Sequence, residues 1–179
     1  MGSAKPLTPF RGAALVDAVI ARATPQVTRL ALDVPRDEVE TYRARYGGAV
    51  VADLFGEKLG PLCGIVTGLA WLEAEWLATF PCDTPFLPLD LVAQLARRAG
   101  ARPVVAGHGG RLHGVCGLWP KTCLARLKAG VESGALRSVR SALDAFEAAE
   151  CEIAAPANAF FNVNTPDDLK MAENLSPSP

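Results

Sequence analysis

Apolar and polar positions change period repeatedly along this chain. Stretches with a 3.6-residue stripe alternate with short apolar runs of strand length. Ala14, Leu15, Ala18, Val19 and Ala21 form a stripe with Asp17 and Arg22 outside it, which predicts a helix over 13–23 ended by Pro25. A strand over 27–34 follows and closes at Asp33-Val34-Pro35. Residues 37–46 read as a polar helix stopped by Gly47-Gly48, and 49–52 as a short buried strand running into Asp53. After a loop over 54–61 comes a helix over 62–73, in which Gly64, Gly68 and Ala70 allow a neighbour to approach closely. Residues 77–81 carry no charge and no alternation, as a strand covered on both faces does. That run ends at Asp83, and Pro85 prevents it from continuing.

The second half repeats the alternation. It predicts an amphipathic helix over 89–99, a strand over 103–107, a hairpin tip over 109–114 and a returning strand over 115–119. Pro120 opens a helix to about 129. A break over 130–134, a helix over 138–149, a strand over 151–154, an extended piece over 160–163 and a helix opened by Pro166 complete the chain. Strands alternating with helices make an α/β fold with a mostly parallel sheet. Residues 1–175 read as one domain, and 176–179 as a disordered tail.

Asp33, Asp53 and Asp83 each stand at the end of a predicted strand. Open α/β sheets bind ligands beyond the carboxyl ends of their strands. Three acids along one such edge suit a hard cation shared with phosphates. The same three residues also suit helix caps, with Asp83 capping the helix after Thr84 and Pro88-Leu89-Asp90. Both readings stand at this level.

Composition removes other classes. Lys and Arg number 18 against 19 Asp and Glu, so no basic surplus points to nucleic acid or a membrane surface. Five Cys, at 63, 82, 116, 123 and 151, form no C-x-x-C pair, which fits reduced thiols in a cytoplasmic protein. No signal peptide and no run of membrane-spanning length is visible. His108 and His113 lack carboxylate or Cys partners at ligand spacing and read as polar loop residues.

Four segments together resemble the MobA-type molybdenum cofactor guanylyltransferases: Met1-Gly2-Ser3-Ala4-Lys5-Pro6-Leu7, Gly60-Pro61-Leu62-Cys63-Gly64, Cys82-Asp83-Thr84-Pro85 and Phe161-Asn162-Val163-Asn164-Thr165-Pro166. The resemblance spans the chain except its tail. It implies a Rossmann-like three-layer nucleotidyltransferase fold and transfer of GMP from GTP to the molybdopterin-bound cofactor, with release of pyrophosphate. Position by position, Lys5 resembles the Lys on the nucleotide phosphates, Asp83 the Mg²⁺ ligand, and Asp53 an acid on the guanosine. Gly60-Pro61-Leu62 resembles the loop beside the nucleoside. Asn162 and Asn164 resemble a pair near the metal and the pterin phosphate, although they also suit a turn before Pro166. Arg111, Arg137 and Arg140 are candidate contacts for that phosphate, and each singly also suits a solvated surface. The implied partners are GTP, the molybdopterin cofactor and, transiently, proteins of cofactor synthesis or molybdoenzymes, with no nucleic acid and no membrane.

Two departures from the family pattern stand out. Asp33 occupies the place where the family commonly has Asn to read guanine. A carboxylate can still accept from guanine N–H groups, so Asp33 remains a candidate nucleotide contact. The family also begins with a strand and a Gly-rich loop ahead of the Met-Gly, and that first strand is missing from this sequence. Without the loop's backbone N–H groups and Arg, weak GTP binding and little or no catalysis are expected. A cytidylyltransferase, another NTP transferase of the same fold, and a non-catalytic domain that binds the cofactor or a partner protein are the alternatives.

Overall fold

The computed structural model describes residues 5–48, 50–55 and 60–175, with the side chain of Lys5 excluded. The tail, the first four residues of the Met1–Leu7 signature, Ala49 and residues 56–59 of the loop therefore lie outside the described residues.

A two-residue ladder pairs β1 (Pro9–Phe10) with β2 (Ala13–Ala14), and α1 (Leu15–Ala23) follows at once. β3 (Leu32–Val34) and β4 (Val50–Ala52) pair in parallel, with α2 (Val39–Tyr46) between them in sequence. The strand expected over 27–34 thus shrinks to its last three residues. α3 (Pro61–Trp71) leads into β5 (Trp76–Thr79), and α4 (Leu91–Ala96) into β6 (Val104–His108) and β7 (Arg111–Pro120). α5 (Leu124–Glu132), α6 (Val139–Ala145), β8 (Ala149–Glu152) and α7 (Pro166–Asn174) complete the order.

The main sheet has four strands in the order β5-β7-β6-β8. β7 runs antiparallel to both β5 and β6, while β8 is parallel to β6. Three of the four strands therefore point the same way, as the alternating pattern predicts, and β7 is the reversed one. The hairpin tip is smaller than expected. Only Gly109 and Gly110 turn, at φ 57° and 72°, and β7 begins at Arg111. Two consecutive left-handed positions make the tight primed turn that matches strand twist, and glycine adopts them without a Cβ penalty.

Alternation along the sheet splits the core into two layers. Val104, Ala106, Cys116, Leu118, Cys151 and Ile153 pack with Leu91, Leu95 and Val19 from α4 and α1. Val105 and Trp119 pack on the other face with Leu62, Ile65, Val66 and Leu69 of α3, Leu127 and Val131 of α5, and Leu143 of α6. Helix, sheet and helix form the three layers. A smaller cluster of Val34, Val39, Tyr42 and Val50 closes β3 and β4 under α2.

Helix α3 reaches both sheets. A Cβ on Gly64 would meet Asp33 Oδ2 at 2.9 Å, and one on Gly68 would meet Leu77 Cδ2 at 2.9 Å. Gly64 and Gly68 are the points where this helix lies against β3 and β5, while Ala70 is exposed.

Candidate active site

The register of β3 and β4 sets the first part of the site. Asp33 pairs with Val51, and the Asp53 N–H donates to Val34 O at 2.9 Å just past the ladder. Residues two apart on a strand return to the same face, so Asp33 and Asp53 become diagonal neighbours. Asp33 lies within β3, one residue short of its end, and Asp53 directly follows β4. Asp33 is exposed as a residue, yet its carboxyl end lies against the start of α3. Loss of water around that carboxyl, and then the charge of Asp53, push it up to about 7.

Asp53 is held differently. Its Oδ1 accepts the Phe55 N–H at 2.9 Å, and the buried Cys63 thiol also hydrogen-bonds to it. Burial first, and that hydrogen bond second, push the Cys63 thiol up to about 12, so it stays a neutral donor. The Leu54 N–H donates to Thr67 Oγ1 at 3.1 Å, which fixes the turn after β4 to α3. Cys63 is the residue whose role the sequence left unread. It lies inside Gly60-Pro61-Leu62-Cys63-Gly64, in the first turn of α3, where a side chain points back toward the strand ends.

The second part gathers around Asp83. β5 ends at Thr79, and α4 begins only at Leu91, so Asp83 does not cap that helix. Instead its carbonyl accepts the Val163 N–H at 2.9 Å. Val163 is fully buried with Phe10, Leu15, Phe86 and Ala172, while Asn162 and Asn164 on either side are exposed. The structure therefore brings Asp83 and both asparagines together. The cap of α7 falls to Thr165, whose Oγ1 accepts the Asp168 N–H at 3.1 Å. Asp168 returns the bond by accepting the Thr165 and Asn164 N–H groups at 2.8 and 3.0 Å. The helix end thus needs neither asparagine side chain as its cap.

Lys5 opens a 3-10 turn over Lys5–Leu7, and its side chain lies outside the described residues. Gly60 and Pro61 line a cavity of about 560 Å³ together with Gly114, Ser138, Arg137 and Arg140. Arg137 Nε donates to Gly134 O at 2.9 Å, and Arg140 pairs with Asp144 at 3.0 Å. Arg111 starts β7 beyond the turn. His108 and His113 are not loop residues: one ends β6, the other lies within β7, and both are half-buried. His113 stacks on Phe160 with ring centroids 4.2 Å apart, and His108 lies 5.2 Å from the same ring. Burial, then the nearby Arg111 charge, lower the His113 pKa.

Among the described residues, no group of three or more His, Cys, Asp or Glu side chains is arranged to hold a metal. None of their helices is long and apolar enough to cross a membrane. All five cysteines are free thiols, and only Cys82 is exposed.

The family model described as the MobA-like NTP transferase domain matches residues 1–157. A molybdenum cofactor guanylyltransferase of Mesorhizobium japonicum is 37% identical, covering 97% of this chain and 88% of that protein. The fold is also that of molybdopterin-guanine dinucleotide biosynthesis protein A from Archaeoglobus fulgidus, with a TM-score of 0.79 at 21% identity over 94% of this chain and 88% of that one. A Mycobacterium tuberculosis protein solved in complex with manganese is similar at a TM-score of 0.66 and 17% identity, over 93% of this chain and 89% of that one.

Proposed function

Because the chain belongs to the MobA-like NTP transferase family, we propose that it transfers GMP from GTP to the molybdopterin-bound cofactor and releases pyrophosphate. One observation carries this reading beyond family membership. The backbone bond from the Val163 N–H to the Asp83 carbonyl supports it, because it joins the segment after β5 that carries Asp83 to the segment that carries the exposed Asn162 and Asn164. That set is made of hard oxygen donors with hydrogen-bonding amides beside them, suited to phosphate and its cation.

The donor chemistry around Asp83 fits Mg²⁺. A single carboxylate, without an all-protein cage, is how Mg²⁺ is held when substrate phosphates and water complete its shell. When bound, that ion supplies charge neutralisation on the phosphates. The chain's residues do the rest. Asp33 and Asp53 hold the guanine end, and the start of α3 with Gly60 and Pro61 flanks it. Lys5 is assigned to the phosphates, where its ammonium offsets charge on the leaving pyrophosphate. Asn162 and Asn164 orient the pterin phosphate, and Arg137 and Arg140 on the neighbouring cavity offer further anion contacts. An oxygen of that phosphate attacks the α-phosphorus in line. The bond to the bridging oxygen breaks, and pyrophosphate departs with the bonding pair. No residue forms a covalent intermediate. The five free thiols suit a cytoplasmic setting, where transient hand-over of product to molybdoenzymes takes place.

Pyrophosphate release, followed with GTP, Mg²⁺ and molybdenum cofactor, tests the reading. Any release is expected with GTP and not with CTP, and slowly where the Gly-rich loop is missing. Asp83→Asn is expected to lower the rate at least about a hundredfold, the scale of losing one preorganised electrostatic group. Equal rates with CTP would move the assignment to a cytidylyltransferase. No release with either nucleotide, even when the Gly-rich loop is supplied upstream, would leave the non-catalytic alternative.

A further inference from the structure

Asp33 and Asp53 present an electrostatic problem that the fold itself poses. They are diagonal neighbours on one face of the β3–β4 pair, and two carboxylates that close do not both ionise easily. Their surroundings differ. Asp53 accepts the Phe55 N–H and the Cys63 thiol. Asp33 has its carboxyl against Gly64 in α3, at a spot where a Cβ would stand 2.9 Å from Oδ2. Among the described residues, the titratable groups facing it are Asp53 beyond β4 and Cys63 from α3. The nearby cation, Arg36, places its guanidinium on the carbonyl oxygens of Asp53 and Leu54, at 3.0 and 3.1 Å.

We infer that Asp33 reads the nucleobase as a neutral acid, donating its O–H to a ring carbonyl oxygen, while Asp53 accepts from the base. This rests on the assignment of the two acids to the guanine end of GTP. One donor beside one acceptor complements a guanine edge, which carries the O6 acceptor next to N–H donors. Two ionised acids would turn a negative charge on O6. The upward shift of Asp33 agrees with this division. Asp33 thereby becomes a specificity-determining residue whose proton is part of the binding site.

The test is GTP affinity by calorimetry between pH 5.5 and 8.5, for the wild-type protein and Asp33→Asn. The side-chain amide of the variant keeps a donor and an acceptor but has no proton to lose. Ionisation of GTP itself affects both proteins alike, so the ratio of the two affinities isolates Asp33. Wild-type affinity is expected to fall relative to the variant by about tenfold per pH unit above the Asp33 midpoint. A guanosine analogue triphosphate lacking O6 is expected to bind without that dependence. A ratio that stays flat across the range, with both proteins binding GTP, would overturn the neutral acid and leave the guanine assignment standing. No GTP binding by the folded wild-type protein at any pH would overturn both. If the variant fails to fold, carbon-13 NMR of the wild-type carboxyl with GTP bound decides. Titration at the ordinary carboxylate range would overturn the inference, and a proton retained at pH 7 would support it.

Discussion

An acid that folding makes weaker must leave its mark on stability as pH changes. Asp33 has an ordinary carboxyl value near 3.8 when unfolded and about 7 in the fold, because burial and the Asp53 charge both disfavour its ionised form. Between these values the native state binds more proton than the unfolded state. Its contribution to stability is therefore highest below about pH 4, declines as pH rises, and levels off above about 7. Asp17 pulls the other way. Burial would raise it, but hydrogen bonds from Tyr46, the Ala14 N–H and Arg45 outweigh burial and hold its carboxyl below the usual value. Its contribution is present above about 3.8 and is lost as pH falls through its lowered folded value. The two are separable by substitution. The melting temperature of the wild-type protein minus that of Asp33→Asn is expected to shrink from pH 4 to 7 and stay constant beyond. A difference that grows over that interval would contradict the raised value.

At the scale of single elements, α7 offers a clean case. Thr165 and Asp168 satisfy each other's backbone N–H groups at its start, and Pro166 occupies the first helical position. Thr165→Ala removes one half of that box and is expected to cost about 1 kcal/mol, or about 2–4 °C in melting temperature. The same segment holds Val163 against Asp83, so activity should fall further than stability alone accounts for. Unchanged pyrophosphate release with a lowered melting temperature would detach the cap from the site. This region was legible in the sequence in an instructive way. Pro166 marked the helix, and Asn162 and Asn164 drew notice as polar residues in a motif. Their partner escaped, because the link to Asp83 runs through the backbone N–H of Val163, which sequence spacing cannot display. Cys63 escaped for a related reason: a thiol after Gly-Pro-Leu reads as core packing until the turn after β4 is seen to bring Asp53 over it. The helix stripes of α1 and α4 and the apolar runs of β5 and β6 were readable because burial imposes their period. The extent of β7 was not, since Arg111, Leu112 and His113 lie at its exposed or half-buried end, where no core enforces alternation. The acids at the strand ends were found by position, while their division into one pair and one separate loop depended on register and topology.

At the scale of the molecule, the guanine end of the site belongs to the less firmly held part. Among the described residues, β3 and β4 form a two-stranded sheet with three paired positions, and no ladder joins them to the four strands of the main sheet. Their own cluster has Val34, Val39, Tyr42 and Val50 at its centre, against twelve buried residues in each layer of the main core. A two-stranded unit with so small a face is marginal by itself. It is retained through α3, which contacts β3 at Gly64 and β5 at Gly68 and packs its apolar side into the main core. Local opening of β3, α2 and β4 should therefore require less free energy than unfolding of β6 and β7, whose ladder lies deep in that core. Hydrogen exchange tests this residue by residue. The Asp53 amide, bonded to Val34 O, is expected to exchange well before the amides of Val104 and Val105. If GTP engages Asp33 and Asp53, it binds only the closed form, so protection should rise there with nucleotide concentration while the main sheet changes little. Exchange of all these amides at one common rate, with or without GTP, would show a single cooperative unit. In that case the binding end would be as rigid as the core, and α3 would not be the element that couples them.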